Sequence, residues 1–202
     1  MILTLPELIT PEELALVKQL VAGAGFTEGK STAGELLQKA KNNQQIPWDH
    51  PVMKKIAGLV MQALGRNDAF MGAAQPRRLA AMLVSRYQPG MAYGMHVDAP
   101  IMAEPNHVRS DVSFTLFLNE PDSYEGGELA FESGSGETAF KLPARSAICF
   151  RPMSSSSRLR NQSINGASLA PSRSLRMGRS MNCAWPPSRW GGTTRRRARR
   201  KR

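Results

Sequence analysis

A histidine and an aspartate separated by one residue, His96 and Asp98, carry the clearest capacity for chemistry in this sequence. Side chains two positions apart on an extended strand point to the same face, so this imidazole and carboxylate can meet one ion. They are two of the three groups in the 2-His-1-carboxylate arrangement, which binds Fe(II) and leaves coordination positions open. Taken alone, the pair is also compatible with a polar loop that faces water. If His96 and Asp98 are metal ligands, a third ligand must come from a residue farther along the chain.

Two helical patterns precede the pair and short β-type runs surround it. Thr10-Pro11-Glu12-Glu13 predicts a helix start, with an N-cap, a proline in the first turn and acidic side chains near the positive end. A second helical pattern covers residues 51–64, and from Arg78 to Phe150 the periodicity approaches two. This order predicts an α+β, mainly β fold, with two packed sheets supported by N-terminal helices.

Charge divides the chain into an acidic body and a basic C-terminal segment. Residues 151–202 hold 14 of the 27 Lys and Arg side chains and no Asp or Glu, so residues 1–150 hold 13 basic and 16 acidic side chains. The net charge of +11 therefore describes the C-terminal segment, and it does not predict a nucleic-acid-binding body. We expect three regions: 1–80, helical support and loops; 81–150, the sheet core; and 151–202, an irregular Arg/Ser-rich tail.

Cysteine content and hydropathy indicate a reducing, aqueous environment. Two cysteines, Cys149 and Cys183, form neither a disulfide framework nor a zinc motif. No apolar run reaches the length of a membrane span, and the N-terminus lacks the pattern of a signal peptide. A cytoplasmic location without membrane association is the expectation.

Several sequence motifs, in a fixed order, resemble the motifs of one enzyme family. The chain is similar to the bacterial PKHD-type hydroxylases, which are Fe(II)/2-oxoglutarate-dependent dioxygenases of the prolyl-4-hydroxylase type. The resemblance covers about residues 1–150. It rests on the motifs GKSTAGELLQKAKNNQQIP (29–47), QPRRL (75–79), RYQPGMAYGMHVD (86–98), VRSDVSFTLFL (108–118), DSYEGGELAFE (122–132) and FKLPA (140–144).

The resemblance implies a double-stranded β-helix, or jelly roll, with His96 and Asp98 as iron ligands near one mouth of the barrel. It implies Fe(II) and 2-oxoglutarate as cofactor and co-substrate, with L-ascorbate as a further requirement. By its place in the RYQPG motif, Tyr87 is expected to donate a hydrogen bond to a carboxylate of 2-oxoglutarate. The implied substrate is a small molecule or a protein side chain, and no separate catalytic acid or base is predicted.

The chain departs from the family where the third ligand is due. The family places a second histidine some sixty residues after the first, and an arginine for 2-oxoglutarate about ten residues later. Around residues 156–158, where the second histidine is due, this chain has Ser156, Ser157 and Arg158, and no histidine follows His107. An arginine stays protonated and offers no lone pair to a metal. His107, His50 and Glu128 are considered as substitutes for the missing third ligand. The simpler explanation for the two histidines is an exposed loop position, and for Glu128 it is the regular alternation of a strand.

Two interpretations account for the segment from residue 151 onward. Its 13 arginines, 10 serines, single lysine and absence of acids are typical of GC-rich DNA read out of frame, which predicts a frame loss near residues 145–155. The alternative is a genuine basic tail that binds nucleic acid or another anion, with Trp185 and Trp190 among the arginines. On either view, such a segment is expected to pack little against the body. The expected function is accordingly an impaired dioxygenase, or an inactive jelly-roll remnant.

Overall fold

The computed structural model describes residues 2–32, 38–76, 78–79, 82–98, 101–102, 108–134, 136–151, 158–163, 166–169 and 175–176. The α-helices within these ranges are α1 (Pro11–Ala22), α2 (Pro51–Gly65) and α3 (Asp68–Ala74). Helix α1 begins where the sequence predicts. The backbone N–H of Glu13 donates to Thr10 Oγ1 at 3.2 Å, and the Thr10 N–H donates to the Glu13 carboxylate at 2.8 Å. This reciprocal cap satisfies two backbone donors at the start of the helix.

Most of the described elements are strands, arranged in two main antiparallel sheets. The larger sheet has the spatial order β1 (Ile2–Leu5), β13 (Ala147–Phe150), β10 (Ser113–Phe117), β15 (Gly166–Leu169), β6 (Ser85–Tyr87), β4 (Gln44–Gln45) and β2 (Thr27–Glu28). The smaller sheet has the order β12 (Gly136–Phe140), β11 (Gly126–Ser133), β14 (Arg158–Ser163), β7 (Ala92–His96) and β3 (Lys41–Asn42). Two short pairs join β5 (Arg78–Leu79) to β16 (Leu175–Arg176), and β8 (Ile101–Met102) to β9 (Val108–Arg109).

The larger sheet presents an apolar side to the helices and a mixed side to the smaller sheet. Phe114, Leu116 and Cys149 belong to the buried cluster that includes residues of all three helices. Alternate residues of the same strands, such as Phe117 and Ile148, instead cluster with Leu129, Phe131 and Phe150 between the sheets. This division follows from the period-two alternation of strand side chains.

The aromatic and leucine side chains of the sheets are buried, which corrects one expectation. A barrel without its final strands predicts exposed apolar faces at Phe114, Leu116, Phe117 and Phe131. Their relative exposures are 1%, 0%, 3% and 7%. Phe114 and Leu116 are covered by the cluster that includes the helices, and Phe117 and Phe131 by the cluster between the sheets.

The described parts of the C-terminal segment contribute strands to both sheets, which departs from the expectation of an irregular tail that packs little against the body. For the rest of residues 151–202 that expectation stays a prediction. Strand β14 lies between β11 and β7, and β15 lies between β10 and β6. Strand pairing uses backbone donors and acceptors that every non-proline residue has, so an Arg/Ser-rich composition does not prevent it. Trp185 and Trp190 lie outside the described residues.

The first 80 residues also supply strands, as well as the predicted helices and loops. Strand β1 pairs with β13 through four residue pairs, so the N-terminus is joined directly to the core sheet. Strands β3 and β4 pair with β7 and β6, respectively. Part of the polar stretch 29–47, which falls in the region expected to form helical support and loops, is therefore a sheet component beside the predicted metal pair.

Candidate active site

The side chains of His96 and Asp98 converge as the one-residue spacing predicts. His96 is the last residue of β7 and Asp98 follows two positions later, with the intervening Val97 37% exposed. The distance from His96 Nε2 to Asp98 Oδ1 is 3.5 Å. The two side chains are only 8% and 19% exposed. An imidazole nitrogen and a carboxylate oxygen at this separation can contact the same cation.

A hydrogen bond and a ring stack fix the orientation of His96. Its Nδ1 lies 2.8 Å from the carbonyl oxygen of Gly94, so the ring N–H donates there and Nε2 keeps its lone pair on the side of Asp98. The ring of Tyr93 stacks on the imidazole with 3.7 Å between centroids and 14° between planes. A second partner that fixes the tautomer is characteristic of metal-binding histidines.

Asp98 is held in turn by a neighbouring strand. Ser113 on β10 donates its hydroxyl proton to Asp98 Oδ2 at 2.9 Å. One carboxylate oxygen is thus occupied by the protein, while the other faces His96. The two potential ligands therefore have separate supports, one from their own strand and one from the opposite sheet.

Tyr87 lies inside the barrel, with a relative exposure of 1%. Its phenol oxygen accepts a hydrogen bond from Asn43 Nδ2 at 3.0 Å. The other oxygen of this amide, Asn43 Oδ1, is buried and has no hydrogen-bond partner among the described residues. Asn43 thus contacts the predicted site residue Tyr87, and the sequence analysis did not single it out because it falls in the region expected to form helical support and loops.

Lys41 was missed for the same reason. It pairs with Tyr93 across β3 and β7, is 1% exposed, and places Nζ 5.3 Å from the centre of the Tyr93 ring. Burial alternates here, since Lys41, Asn43 and Gln45 are buried while Asn42 is exposed. All five residues of 41–45 are polar, so the sequence carries no apolar/polar alternation that could have predicted the strand.

Comparison with known proteins agrees with this arrangement. The sequence model of the 2OG-Fe(II) oxygenase superfamily matches residues 82–163. A PKHD-type hydroxylase of Picosynechococcus is 45% identical over 150 residues, covering 74% of this chain and 67% of the relative. One from Paracoccus denitrificans is 39% identical over 153 residues, with the same two coverages. The chain belongs to the PKHD-type hydroxylases of the 2OG-Fe(II) oxygenase superfamily.

Solved structures share the fold at much lower sequence identity. A 2OG-Fe(II) oxygenase family oxidoreductase from Burkholderia pseudomallei covers 87% of this chain and 88% of its own, with a TM-score of 0.61 and 17% identity. A prolyl-4-hydroxylase from Pseudomonas putida covers 84% and 92%, with a TM-score of 0.56 and 16% identity. These likenesses support the jelly-roll architecture.

For a PKHD-type hydroxylase, the third ligand is expected on a late strand, around residues 156–158, next in the chain to β14. In β14, Leu159 lies opposite His96 in the register. Arg158, the preceding residue, pairs with Glu132 of β11. Ser156 and Ser157 lie outside the described residues, as does His107. Among the described residues, no three His, Cys, Asp or Glu side chains form a group that could hold a metal ion.

The other two candidates for the third metal ligand, His50 and Glu128, have structural roles in the described parts of the chain. His50 is the N-cap of α2, and its Nδ1 accepts a hydrogen bond from the Val52 N–H at 3.2 Å. Glu128 is a half-buried residue of β11. Together with Glu120 it raises the pKa of Tyr124, for which burial is the larger cause. Both observations agree with the simpler explanations given for these residues.

Two further findings concern the extent of the family match and the possibility of a membrane-spanning helix. The family match extends to residue 163, so the similarity continues beyond the limit of about residue 150 expected from the motifs. It includes β14, where the histidine is due. The helices within the described ranges are all too short or too polar to cross a membrane.

Proposed function

We propose that His96 and Asp98 bind Fe(II) and that Tyr87 contacts a carboxylate of 2-oxoglutarate, in a hydroxylase whose turnover is impaired. The observation that carries the proposal is the convergence of His96 Nε2 and Asp98 Oδ1 at 3.5 Å, opposite a strand with Leu159 at the facing position. The donor set fits Fe(II) at two positions, and no third protein ligand occurs among the described residues. When bound, Fe(II) and 2-oxoglutarate supply the oxidative chemistry of the family.

The residues around His96, Asp98 and Tyr87 each have a distinct part in this proposal. The Gly94 carbonyl holds His96 with its Nε2 lone pair available, and Ser113 leaves Asp98 Oδ1 free to bind. Asn43 donates to the Tyr87 oxygen and thereby holds the phenol in place inside the barrel. The mostly buried surroundings exclude bulk water, which strengthens electrostatic interactions with a bound anion.

Other family properties remain proposals for this chain. The substrate is a small molecule or a protein side chain, L-ascorbate supports the reaction, and the protein acts in the cytoplasm. A frame loss remains our hypothesis for the origin of the C-terminal composition, placed downstream of the strongest motifs. Anion binding through the 14 positive charges of residues 151–202 is the alternative activity.

Restoring a histidine tests the proposal directly. The family's second histidine is due around residues 156–158, and in β14 Leu159 lies opposite His96 and Arg158 opposite Glu132 in the registers. The variant Ser157→His is expected to increase Mn(II) affinity, measured by calorimetry, by at least about tenfold, since it completes the triad. The matched control Arg158→His is expected to change it less than about threefold.

Turnover provides the second measurement. With Fe(II) and 2-oxoglutarate, the parent chain is expected to release little succinate, because one protein ligand is missing. Succinate release by the parent chain that is abolished by His96→Ala would contradict the proposed impairment. A Mn(II) affinity that does not change in either His96→Ala or Ser157→His would contradict the proposed metal site itself.

A further inference from the structure

Strand β7 carries a β-bulge directly before His96. In the pairing with β14, His96 lies opposite Leu159 and Tyr93 lies opposite Asn161, so three steps along β7 match two steps along β14. In a regular strand, residues three positions apart point to opposite faces. An extra residue in one strand reverses this alternation, and bulges beside active sites often re-aim a side chain in this way. The bulge therefore places Tyr93 and His96 on the same face of β7.

The contact between the rings of Tyr93 and His96 is the consequence of this bulge. The ring centroids are 3.7 Å apart and the ring planes differ by 14°. The stack restrains the tilt of the imidazole, while the hydrogen bond from His96 Nδ1 to the Gly94 carbonyl, at 2.8 Å, restrains its rotation within the ring plane. With both restraints in place, His96 Nε2 lies 3.5 Å from Asp98 Oδ1.

Gly94, inside the bulge, is held in turn by the chain that precedes β3. Its N–H donates to the carbonyl oxygen of Ala40 at 2.7 Å. A Cβ at position 94 would lie 3.4 Å from Ala40 Cβ and 3.5 Å from the Ala40 carbonyl oxygen. Ala40 comes directly before Lys41, which pairs with Tyr93 across β3 and β7. The turn at residues 39–40 thus packs on the backbone of the bulge.

Space, rather than backbone conformation, favours glycine at position 94. The φ angle of Gly94 lies outside the left-handed region, so a side chain would not be strained by the backbone itself. Valine even suits a strand, because β-branched residues favour the extended conformation. An alanine Cβ would fill the gap to Ala40, and the two further methyl groups of valine would press against Ala40. Such crowding in a packed region displaces one of the two backbones.

We propose that Gly94, Tyr93 and Ala40 are positioning residues that together set the orientation of the His96 ring. Gly94 supplies the carbonyl that accepts from Nδ1, and Tyr93 supplies the stacking ring. Ala40 supplies the contact that keeps the bulge in place. The inference rests on the proposed function only for the role of His96 as a metal ligand. It connects the metal pair to the turn before β3, in the region that the sequence predicts as helical support and loops.

The orientation of the ring can be measured in the chain without metal. Protons above the face of an aromatic ring resonate upfield, so the NMR signals of the His96 imidazole report the stack. Gly94→Val should reduce the upfield displacement and weaken Mn(II) binding by about tenfold or more, as for the loss of a partner of a metal-binding histidine. Gly94→Val with Ala40→Gly, which restores space, should recover part of both. Gly134→Val, where a Cβ would meet no neighbouring atom within 4 Å, is the matched control and should change neither.

Two substitutions of Tyr93 separate its ring from its hydroxyl group. Tyr93→Phe keeps a stacking ring and should retain most of the upfield displacement, with Mn(II) affinity within about threefold of the parent. Tyr93→Leu removes the ring, and we expect it to abolish the displacement and lower Mn(II) affinity by about tenfold. Equal losses in both variants would assign the effect to the hydroxyl group and overturn the role of the stack.

Melting temperatures distinguish orientation from general destabilisation. If Gly94→Val melts earlier but keeps the parent NMR signals of His96 and the parent Mn(II) affinity, Gly94 has a structural role alone and the proposal is wrong. If Gly94→Val does not fold, Tyr93→Leu carries the test with the same two measurements.

The outcomes also separate this inference from the proposed function. His96 signals that change as expected, in a chain without His96-dependent Mn(II) binding, would overturn the proposed metal site and leave the positioning of the ring established. His96-dependent Mn(II) binding that neither Gly94→Val nor Tyr93→Leu weakens would overturn the positioning roles and leave the metal site established.

Discussion

Strands β7 and β14 are neighbours in the smaller sheet, but they differ in how specifically their residues support the candidate site. On β7, the orientation of His96 is set by the Gly94 carbonyl and the Tyr93 ring, and Asp98 just beyond the strand is held by Ser113. Strand β14 has the correct place and an antiparallel register, yet Leu159 faces His96. The difference shows that backbone pairing alone can set the place of a strand in the sheet, whichever side chains the strand carries.

The largest expected effect is the decrease in Mn(II) affinity when the proposed ligand on β7 is removed. His96→Ala should weaken Mn(II) binding by about 100-fold or more, which corresponds to roughly 2.7 kcal/mol, because one of two protein ligands is removed. Calorimetric titration measures the change. Leu159→Met, a substitution on the facing strand, is the matched control and should leave the affinity within about twofold.

Strand β14 should respond to a change in its backbone. Leu159→Pro removes an N–H from a strand with partners on both sides, so the free energy of unfolding should fall by roughly 1–3 kcal/mol. Leu159→Val keeps the N–H and should have a smaller effect in the same urea titration. Equal stability of the proline variant and the parent would mean that β14 does not occupy this position in solution.

Removal of the support of Asp98 should have an intermediate effect on the β7 side. Ser113→Ala deletes the hydroxyl that donates to Asp98 Oδ2, and we expect Mn(II) affinity to fall by about tenfold. Ser113→Thr keeps a hydroxyl and should recover part of the affinity. If both variants bind Mn(II) as the parent does, the bond to Ser113 is not a determinant of ligand geometry.

The smallest effect is expected far from both strands, at the start of α1. The Arg66 guanidinium donates to the Glu13 carboxylate and holds the pKa of Glu13 below its ordinary value of 4.5. Glu13→Gln should lower the free energy of unfolding by about 0.5–1 kcal/mol near pH 7, since the pair is partly exposed.

The pH dependence of that effect has a definite sign. A lowered folded-state pKa means that the contribution of Glu13 is complete above about pH 4.5 and disappears as the pH falls through the lowered value. Parent and Glu13→Gln should therefore converge in melting temperature under acid conditions. Mn(II) affinity at pH 7 should be the same in both, and a difference there would couple the helical support to the metal pair.

Local patterns in the sequence predicted much of this protein. The spacing of His96 and Asp98 predicted their convergence, and the Thr10 cap predicted the start of α1. These features depend on residues within a few positions of one another, so their physical basis is visible in the chain itself. The order of the motifs also predicted the family, to which the relatives at 39% to 45% identity show that the chain belongs.

Only the tertiary structure decided the roles of residues whose partners are distant in sequence. Leu159 lies opposite His96, and Asn43 meets Tyr87 across 44 positions. Lys41 is buried because β3 pairs with β7, although the four residues that follow it in the sequence are all polar. Strand pairing is satisfied by backbone groups common to almost all residues, so composition alone neither excluded β14 from the sheet nor placed Lys41 inside the barrel.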